Sequence, residues 1–178
     1  NGVNGMRELL PNTKPYGEQN EDADAMRQAA ESLMSGISDV LDFSKIEAGK
    51  LELDPHRFGL RELVDGAASM FAAGAHAKNL ELVVSVNRDL PDAVWGDAGR
   101  VRQVLTNLLN NAVKFTTDGE IVVRATCEST TETSTVVRFD VTDTGIGVSR
   151  AAADRVFDAF AQADSSTTRK YGGTGLGL

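Results

Sequence analysis

The sequence lacks the features that secreted and membrane-embedded proteins depend on. It has one cysteine, Cys127, so no disulfide can form within the chain, and this predicts a reducing, cytoplasmic location. No apolar run approaches the ~20 residues that a membrane span requires, and no signal-peptide pattern is present. We therefore expect no membrane contact by this chain, which is compatible with a larger, membrane-anchored parent protein.

Positive charge is also scarce. The chain has 18 Lys and Arg residues against 26 Asp and Glu residues, a net charge of −8, which argues against a nucleic-acid partner. The imbalance lies in residues 15–54, where ten acidic residues stand against three basic ones. An acidic segment beside a nearly neutral one predicts two units with different roles.

The acidic segment has a helical pattern from about residue 20 to residue 48. Its apolar residues recur at steps of three and four and form a narrow stripe: Met26, Ala30, Leu33, Ile37 and Val40. Such a stripe is typical of a helical bundle or coiled-coil seam, and the alternative is a helix packed on its own domain. The stretch EAGKLELDPHRFG ends this helix at Gly49 and is interpreted as a linker.

After the linker, helical and strand patterns alternate. They predict, in order, a helix over 59–78, a strand over 80–86, a short extended PDAVWGD, a helix over 97–115, strands over 120–127 and 136–142 with a hairpin loop between them, and a short helix over 150–158. This order predicts an α/β sandwich, in which a mixed, mostly antiparallel sheet has helices on one face.

The helix over 97–115 has an unusual polar stripe. At about 100° per residue, one face gathers five side chains and no acid: Arg100, Gln103, Asn107, Asn111 and Lys114. Asparagine is a poor helix former, but its amide oxygen suits Mg²⁺, and a lysine offers a point charge for a phosphate. The stripe therefore indicates either a metal and phosphate site or an ordinary polar face.

Two glycine clusters follow, DTGIG at 143–147 and GGTGLGL at 172–178. Asp143 comes directly after a strand, and its carboxylate can accept a hydrogen bond from the exocyclic amine of adenine. Gly145 and Gly147 would let a flat base lie against the backbone. The alternative for this cluster is a tight turn, and GGTGLGL is either a phosphate-binding nest of N–H groups or a flexible loop.

Taken in order, these stretches resemble the nucleotide-binding boxes of sensor histidine kinases. NLLNNAVKFT, DTGIG, FDAF and GGTGLGL look like the N, G1, F and G2 boxes of that family, which belongs to the gyrase, heat-shock chaperone and mismatch-repair ATPase superfamily. The stretch ISDVLDFSKIEAGKLEL resembles the second helix of the family's dimerisation domain, and ADSSTTRKYGGTGLGL is most similar to hybrid-type members. The resemblance implies a partial helical hairpin over residues 1–52 and an ATP-binding domain of histidine kinase type over 53–178.

The resemblance implies ATP and Mg²⁺ as ligands. Asn111 would hold Mg²⁺ with help from Asn107, Lys114 would contact phosphate, and these three would be the catalytic residues. Phe115 would lie near the base. Asp143 would accept a hydrogen bond from the adenine amine, with Gly145 and Gly147 beside it. The remaining implied nucleotide contacts lie in a lid over about 148–172 and in the last glycine cluster: Phe157, Phe160, Arg169, Lys170, Gly173, Thr174, Gly175, Leu176 and Gly177. Arg169 or Lys170 would reach the γ-phosphate, or both would be solvated lid charges.

One position bears on the reaction. Hydrolytic members of the superfamily place a glutamate four residues before the metal-binding asparagine, where this chain has Asn107, which cannot accept a proton. The resemblance therefore implies transfer of the γ-phosphoryl group to a histidine and then to an aspartate of a response-regulator receiver domain, with homodimerisation through the hairpin. The family's acceptor histidine would lie upstream of Asn1 and its last strands beyond Leu178, so we expect a fragment.

The two histidines present, His56 and His76, are expected to be surface residues. Two other functions stay open at this point. The chain could be a regulatory interaction module with a degenerate nucleotide site, in which residues 20–48 dock a partner helix. It could also be an ATPase of the DNA-topology or chaperone type, which Asn107 disfavours. Nucleotide binding separates the first alternative from the kinase, and steady-state hydrolysis separates the second.

Overall fold

The computed structural model describes residues 17–148, and these divide into two units between Leu51 and Glu52. Within the described residues, the first unit contains one long helix, α1 (Gly17–Glu47). Gly49 follows it with a φ of 63°, and Lys50 N donates to Lys45 O at 2.8 Å, so a left-handed glycine closes the helix end. The helix predicted over residues 20–48 is confirmed.

The apolar stripe of α1 is exposed. Met26 is 71% exposed and Leu33 is 65% exposed, and Ile37 and Val40 are close to half exposed. A row of exposed apolar side chains along a helix is the usual mark of a surface that meets another helix. Among residues 17–148, no helix combines the length and the apolar character that a membrane crossing requires.

The second unit contains three helices and five strands within the described residues. In chain order they are β1 (His56–Gly59), α2 (Leu60–Ser69), α3 (Ala72–Ala77), β2 (Glu81–Val86), β3 (Ala93–Gly96), α4 (Ala98–Phe115), β4 (Glu120–Thr130) and β5 (Thr135–Asp143). One sheet has the order β2-β4-β5, in which β2 runs parallel to β4 and β4 runs antiparallel to β5. A second sheet pairs β1 with β3 antiparallel.

The core of this unit lies on one face of the three-stranded sheet. Alternate residues of β4, Ile121, Val123 and Ala125, are fully buried there. The helices α2 and α4 pack against each other and against this sheet. Each presents a buried stripe at helical spacing: Leu60, Leu63, Val64 and Ala67 in α2, and Leu105, Leu109 and Ala112 in α4. The mixed α/β architecture is confirmed.

Three predictions about the elements need correction. The linker is not wholly irregular, because His56–Gly59 finds a partner strand in Ala93–Gly96 and Phe58 packs on the core. The helix over 59–78 is two helices, since Phe71 N bonds to Ala68 O in a tighter turn between them. The sheet is not mostly antiparallel within the described residues, because a parallel pair joins β2 to β4.

The strands themselves occur where they were expected, and the hairpin loop shortens to residues 131–134. The helix predicted over 150–158 lies outside the described residues.

Candidate functional site

The helix α4 begins at a well-defined cap. Asp97 Oδ1 accepts a hydrogen bond from Arg100 N at 2.9 Å, and Asp97 Oδ2 accepts one from Asp54 N at 3.0 Å. These two backbone hydrogen bonds, the one from Arg100 foremost, hold the pKa of Asp97 below its ordinary value. Within the first turn, Arg100 Nη1 donates to Gln103 Oε1 at 2.7 Å. The first two members of the polar stripe are therefore linked to each other.

The rest of the stripe lies half-buried along α4. Asn107, Asn111 and Lys114 are each partly exposed, while Leu105 and Leu109 on the opposite side are buried. Burial lowers the pKa of Lys114, and its Nζ lies 5.1 Å from the centre of the Phe115 ring. A spacing of four residues places the two amides one above the other on the helix surface.

The donor set of this stripe fits Mg²⁺. Its neutral ligands are amide oxygens, and within residues 17–148 no three His, Cys, Asp or Glu side chains are grouped so that they could hold a metal ion. Mg²⁺ usually keeps several waters and takes phosphate oxygens together with only one or two protein ligands. Asn107 and Asn111 therefore fit a site that waters and a phosphate-bearing ligand complete.

The DTGIG segment docks against the end of α4. Asp143, the last residue of β5, accepts hydrogen bonds at Oδ1 from Gly145 N at 2.8 Å and from Thr116 Oγ1 at 3.4 Å. Thr116 directly follows α4 and is fully buried. Ile146 N also donates to Phe115 O at 3.5 Å. The carboxylate that was predicted to read adenine is thus fixed beside the helix that has the asparagine stripe.

The two glycines of this segment serve different needs. A Cβ on Gly145 would lie 2.6 Å from Phe115 O and 2.7 Å from Asp143 Oδ1, so only glycine allows this close approach of two backbone segments. Gly147 has a φ of 66°, and a Cβ added there would meet no neighbouring atom within 4 Å. Gly147 is therefore favoured by backbone conformation rather than by crowding.

Thr144 completes the attachment of this turn. Its Oγ1 accepts a hydrogen bond from Glu120 N at 3.1 Å and donates to Asp118 O at 3.0 Å. The turn after β5 is in this way bonded to the loop between α4 and β4 and to the first residue of β4. Both Thr116 and Thr144 escaped the sequence analysis, although a threonine directly after a predicted helix or strand is a common hydrogen-bonding position.

Lys78 was also missed. Its Nζ donates to Val113 O at 2.6 Å, to Lys114 O at 3.3 Å and to Thr116 O at 3.4 Å. A lysine at the end of the short helix α3 gives no local sign of a contact with a helix end 35 residues later.

The structure brings one part of the predicted site together. The C-terminal half of α4 contributes Asn107, Asn111, Lys114 and Phe115, and the end of β5 with the turn after it contributes Asp143, Gly145 and Gly147. The predicted contacts from Phe157, Phe160, Arg169, Lys170, Gly173, Thr174, Gly175, Leu176 and Gly177 lie outside the described residues. The role of each residue stays a prediction. His56 and His76 are exposed, as expected for surface residues.

Comparison with known proteins connects this geometry to a family. Residues 96–178 match the family model described as histidine kinase-, DNA gyrase B-, and HSP90-like ATPase. All 178 residues align at 48% identity with the sensor protein GacS of Pseudomonas syringae pv. syringae, of which the chain spans 20%. The chain therefore covers about a fifth of the length of this relative.

Solved structures agree with the sequence comparison. Full-length ShkA, crystallised in complex with AMPPNP, is 37% identical with a TM-score of 0.73, and the match covers 99% of this chain and 35% of ShkA. The histidine kinase ThkA, crystallised with the response regulator protein TrrA, is 21% identical with a TM-score of 0.61, and the match covers 94% of this chain and 48% of that one. The latter similarity shows the fold alone.

Proposed function

We propose that this chain, which belongs to the sensor histidine kinases and contains their ATPase domain, binds Mg²⁺ and ATP and donates the γ-phosphoryl group to a histidine. An aspartate of a response-regulator receiver domain would then take the group from that histidine. The observation that supports this most strongly is the junction of α4 with the DTGIG turn. There, a half-buried stripe of two asparagines and a lysine lies next to a carboxylate held by backbone and side-chain donors.

The base end of the site is Asp143. Its Oδ1 already accepts hydrogen bonds from Gly145 N and Thr116 Oγ1, and no donor among the described residues reaches Oδ2. Oδ2 can therefore accept from the exocyclic amine of adenine. Guanine presents a carbonyl oxygen at that position, which would face the carboxylate with like partial charge. We infer that the site selects ATP over GTP.

The phosphate end of the site is the asparagine and lysine stripe. Asn111, with Asn107 one turn before it, would hold Mg²⁺ against the phosphates, and the ion when bound neutralises charge that develops on the transferring group. Lys114 would add a positive charge beside a phosphate. Because Asn107 cannot deprotonate water, the site favours transfer to another acceptor over hydrolysis.

We propose two partners for this chain. The exposed apolar stripe of α1, with Met26, Leu33, Ile37 and Val40, supports homodimerisation through a helical hairpin. A receiver domain would be the second partner, as the complex of ThkA with TrrA illustrates for that kinase. We propose that the chain works in the cytoplasm as part of a longer, hybrid-type sensor kinase that supplies the acceptor histidine.

Calorimetric titration tests the proposal. We expect the chain to bind AMPPNP in the micromolar range in the presence of Mg²⁺, to bind the guanine analogue much more weakly, and to lose binding in Asp143→Ala. Asp140→Ala is the matched control, because Asp140 lies on the same strand and pairs with Arg138 on the surface. If neither this chain nor the full-length protein bound AMPPNP, the kinase proposal would be wrong, and the alternative of a regulatory module with a degenerate site would take its place.

A further inference from the structure

The last turn of α4 is held by groups from outside the helix. A helix end leaves four carbonyl oxygens without partners in the helix. Here Val113 O and Lys114 O accept hydrogen bonds from Lys78 Nζ, and Phe115 O accepts one from Ile146 N. Thr116 O, the next carbonyl, is also within reach of Lys78 Nζ at 3.4 Å. A single ammonium group from a distant segment thus satisfies most of this helix end.

The backbone of Lys78 is itself well fixed. Lys78 N donates to Ala75 O at 3.0 Å, and Leu80 N donates to the same oxygen at 2.9 Å. Between them Asn79 has a φ of 58°, the left-handed conformation that often closes a helix. Leu80, directly before β2, is buried in the core. The lysine stem therefore starts from an anchored point, and its cation lies where the helix dipole of α4 favours positive charge.

The same turn of α4 contains the groups on which the proposed nucleotide site depends. Lys114 would contact a phosphate, and Phe115 would lie near the base. Thr116 Oγ1 donates to Asp143 Oδ1, the oxygen that would face away from adenine. A small shift of this turn would displace both ends of the site together. Such shifts are costly to binding, because positioned groups lose effectiveness with displacements of about 1 Å.

We propose that Lys78 is a positioning residue of the nucleotide site, which acts through the carbonyls of Val113, Lys114 and Thr116 and does not touch the nucleotide. This inference rests on the proposed function. It predicts that a cationic donor is needed at this position, so that arginine, a cation with several donors, replaces lysine better than methionine, which keeps only the apolar stem.

The test compares Lys78→Met, Lys78→Arg and a control, Arg88→Met, in which an exposed cation is removed from the same unit. AMPPNP affinity is measured by calorimetry well below the unfolding temperature of each variant, so that loss of stability alone does not change the dissociation constant. We expect Lys78→Met to weaken binding about tenfold, as for the loss of hydrogen bonds to a charged group. We expect Arg88→Met to bind AMPPNP as tightly as the unchanged chain. Lys78→Arg should keep most of the AMPPNP affinity that Lys78→Met loses.

Amide hydrogen exchange supplies a second readout that needs no nucleotide. Lys78→Met should speed exchange of Thr116 N, which bonds to Ala112 O at the C-terminal end of α4, and should leave Val101 N, at the N-terminal end, unchanged. Equal AMPPNP affinity in Lys78→Met and the unchanged chain would overturn the proposal. If neither the unchanged chain nor the full-length protein bound nucleotide, the proposed function would fall, and unaltered exchange at Thr116 would then also overturn the role of Lys78 in holding the helix end.

Discussion

Replacement of Gly145 by alanine is the most direct test of the junction between α4 and the DTGIG turn. The added Cβ would lie 2.6 Å from Phe115 O and 2.7 Å from Asp143 Oδ1, both far inside the contact distance of about 3.5 Å. The first neighbour is backbone, so it cannot rotate away. The backbone at residue 145 must therefore move away from Phe115 O and from the Asp143 carboxylate by roughly 0.8 Å. This movement weakens the hydrogen bond from Gly145 N that orients Asp143.

The expected size of the effect follows from the contact that is lost. A hydrogen bond from the adenine amine to a carboxylate contributes roughly 1.5–3 kcal/mol, and its loss corresponds to about 10-fold to 150-fold in the dissociation constant. We expect Gly145→Ala to weaken AMPPNP binding within this range. The preference for adenine over guanine should fall at the same time, because Asp143 is the group that distinguishes the two bases.

Gly49→Ala is the matched control, because Gly49 follows α1 and belongs to the unit that does not contain the proposed nucleotide site. No atom lies within 4 Å of its Cβ position, so the change costs only the strain of a non-glycine residue at a φ of 63°, about 1–2 kcal/mol. It should leave AMPPNP affinity within about threefold. Calorimetry on the two variants, with thermal unfolding of each, separates binding from stability. Unchanged affinity in Gly145→Ala would refute the role assigned to this junction.

Two further predictions concern pH. The pKa of Asp97 is lowered by its hydrogen bonds from Arg100 N and Asp54 N, so its contribution to stability is complete above its ordinary value of 3.8 and is lost as pH falls through the lowered pKa. Asp97→Asn, which keeps a capping oxygen, should flatten the acid limb of a plot of unfolding temperature against pH, and an unchanged acid limb would contradict this. The pKa of Lys114 is lowered from 10.5 by burial, so AMPPNP affinity should decline with rising pH before an ordinary lysine would titrate. Lys114→Arg should remove that decline in calorimetry, and an identical decline would exclude Lys114 as its source.

The periodic features of the chain could be predicted from sequence, and for a simple reason. The apolar residues of α4 and β4 recur with the spacing of a helix and of a strand, and each pattern is complete within one element. The stripe of Asn107, Asn111 and Lys114 was found in the same way. The turn after β5 was recognisable because glycine marks backbone that must turn or approach closely, as Gly145 does.

The features that escaped prediction depend on contacts between distant segments. The pairing of His56–Gly59 with Ala93–Gly96 joins four residues of an irregular-looking stretch to a short strand, and neither is long enough to show a pattern. The parallel pairing of β2 with β4 was not foreseen, because alternation within a strand does not reveal its direction relative to its neighbour. Lys78 and Thr116 act through side-chain hydrogen bonds to distant segments, which leave no periodic signal.

The two ends of α4 are fixed by different segments, and this predicts different consequences for changes at each end. At the N-terminal end, Asp97 joins the first turn to Asp54 N, in the stretch that follows α1 in sequence. At the C-terminal end, Lys78 and the DTGIG turn hold the residues proposed to contact nucleotide. Changes at Lys78 should therefore alter nucleotide affinity directly. Changes at Asp97 should act first on stability, because several helical turns separate the cap from Lys114 and Phe115. An Asp97→Asn variant with weakened AMPPNP binding at neutral pH, where the cap of the unchanged chain is fully ionised, would show instead that the cap and the nucleotide site are coupled along the helix.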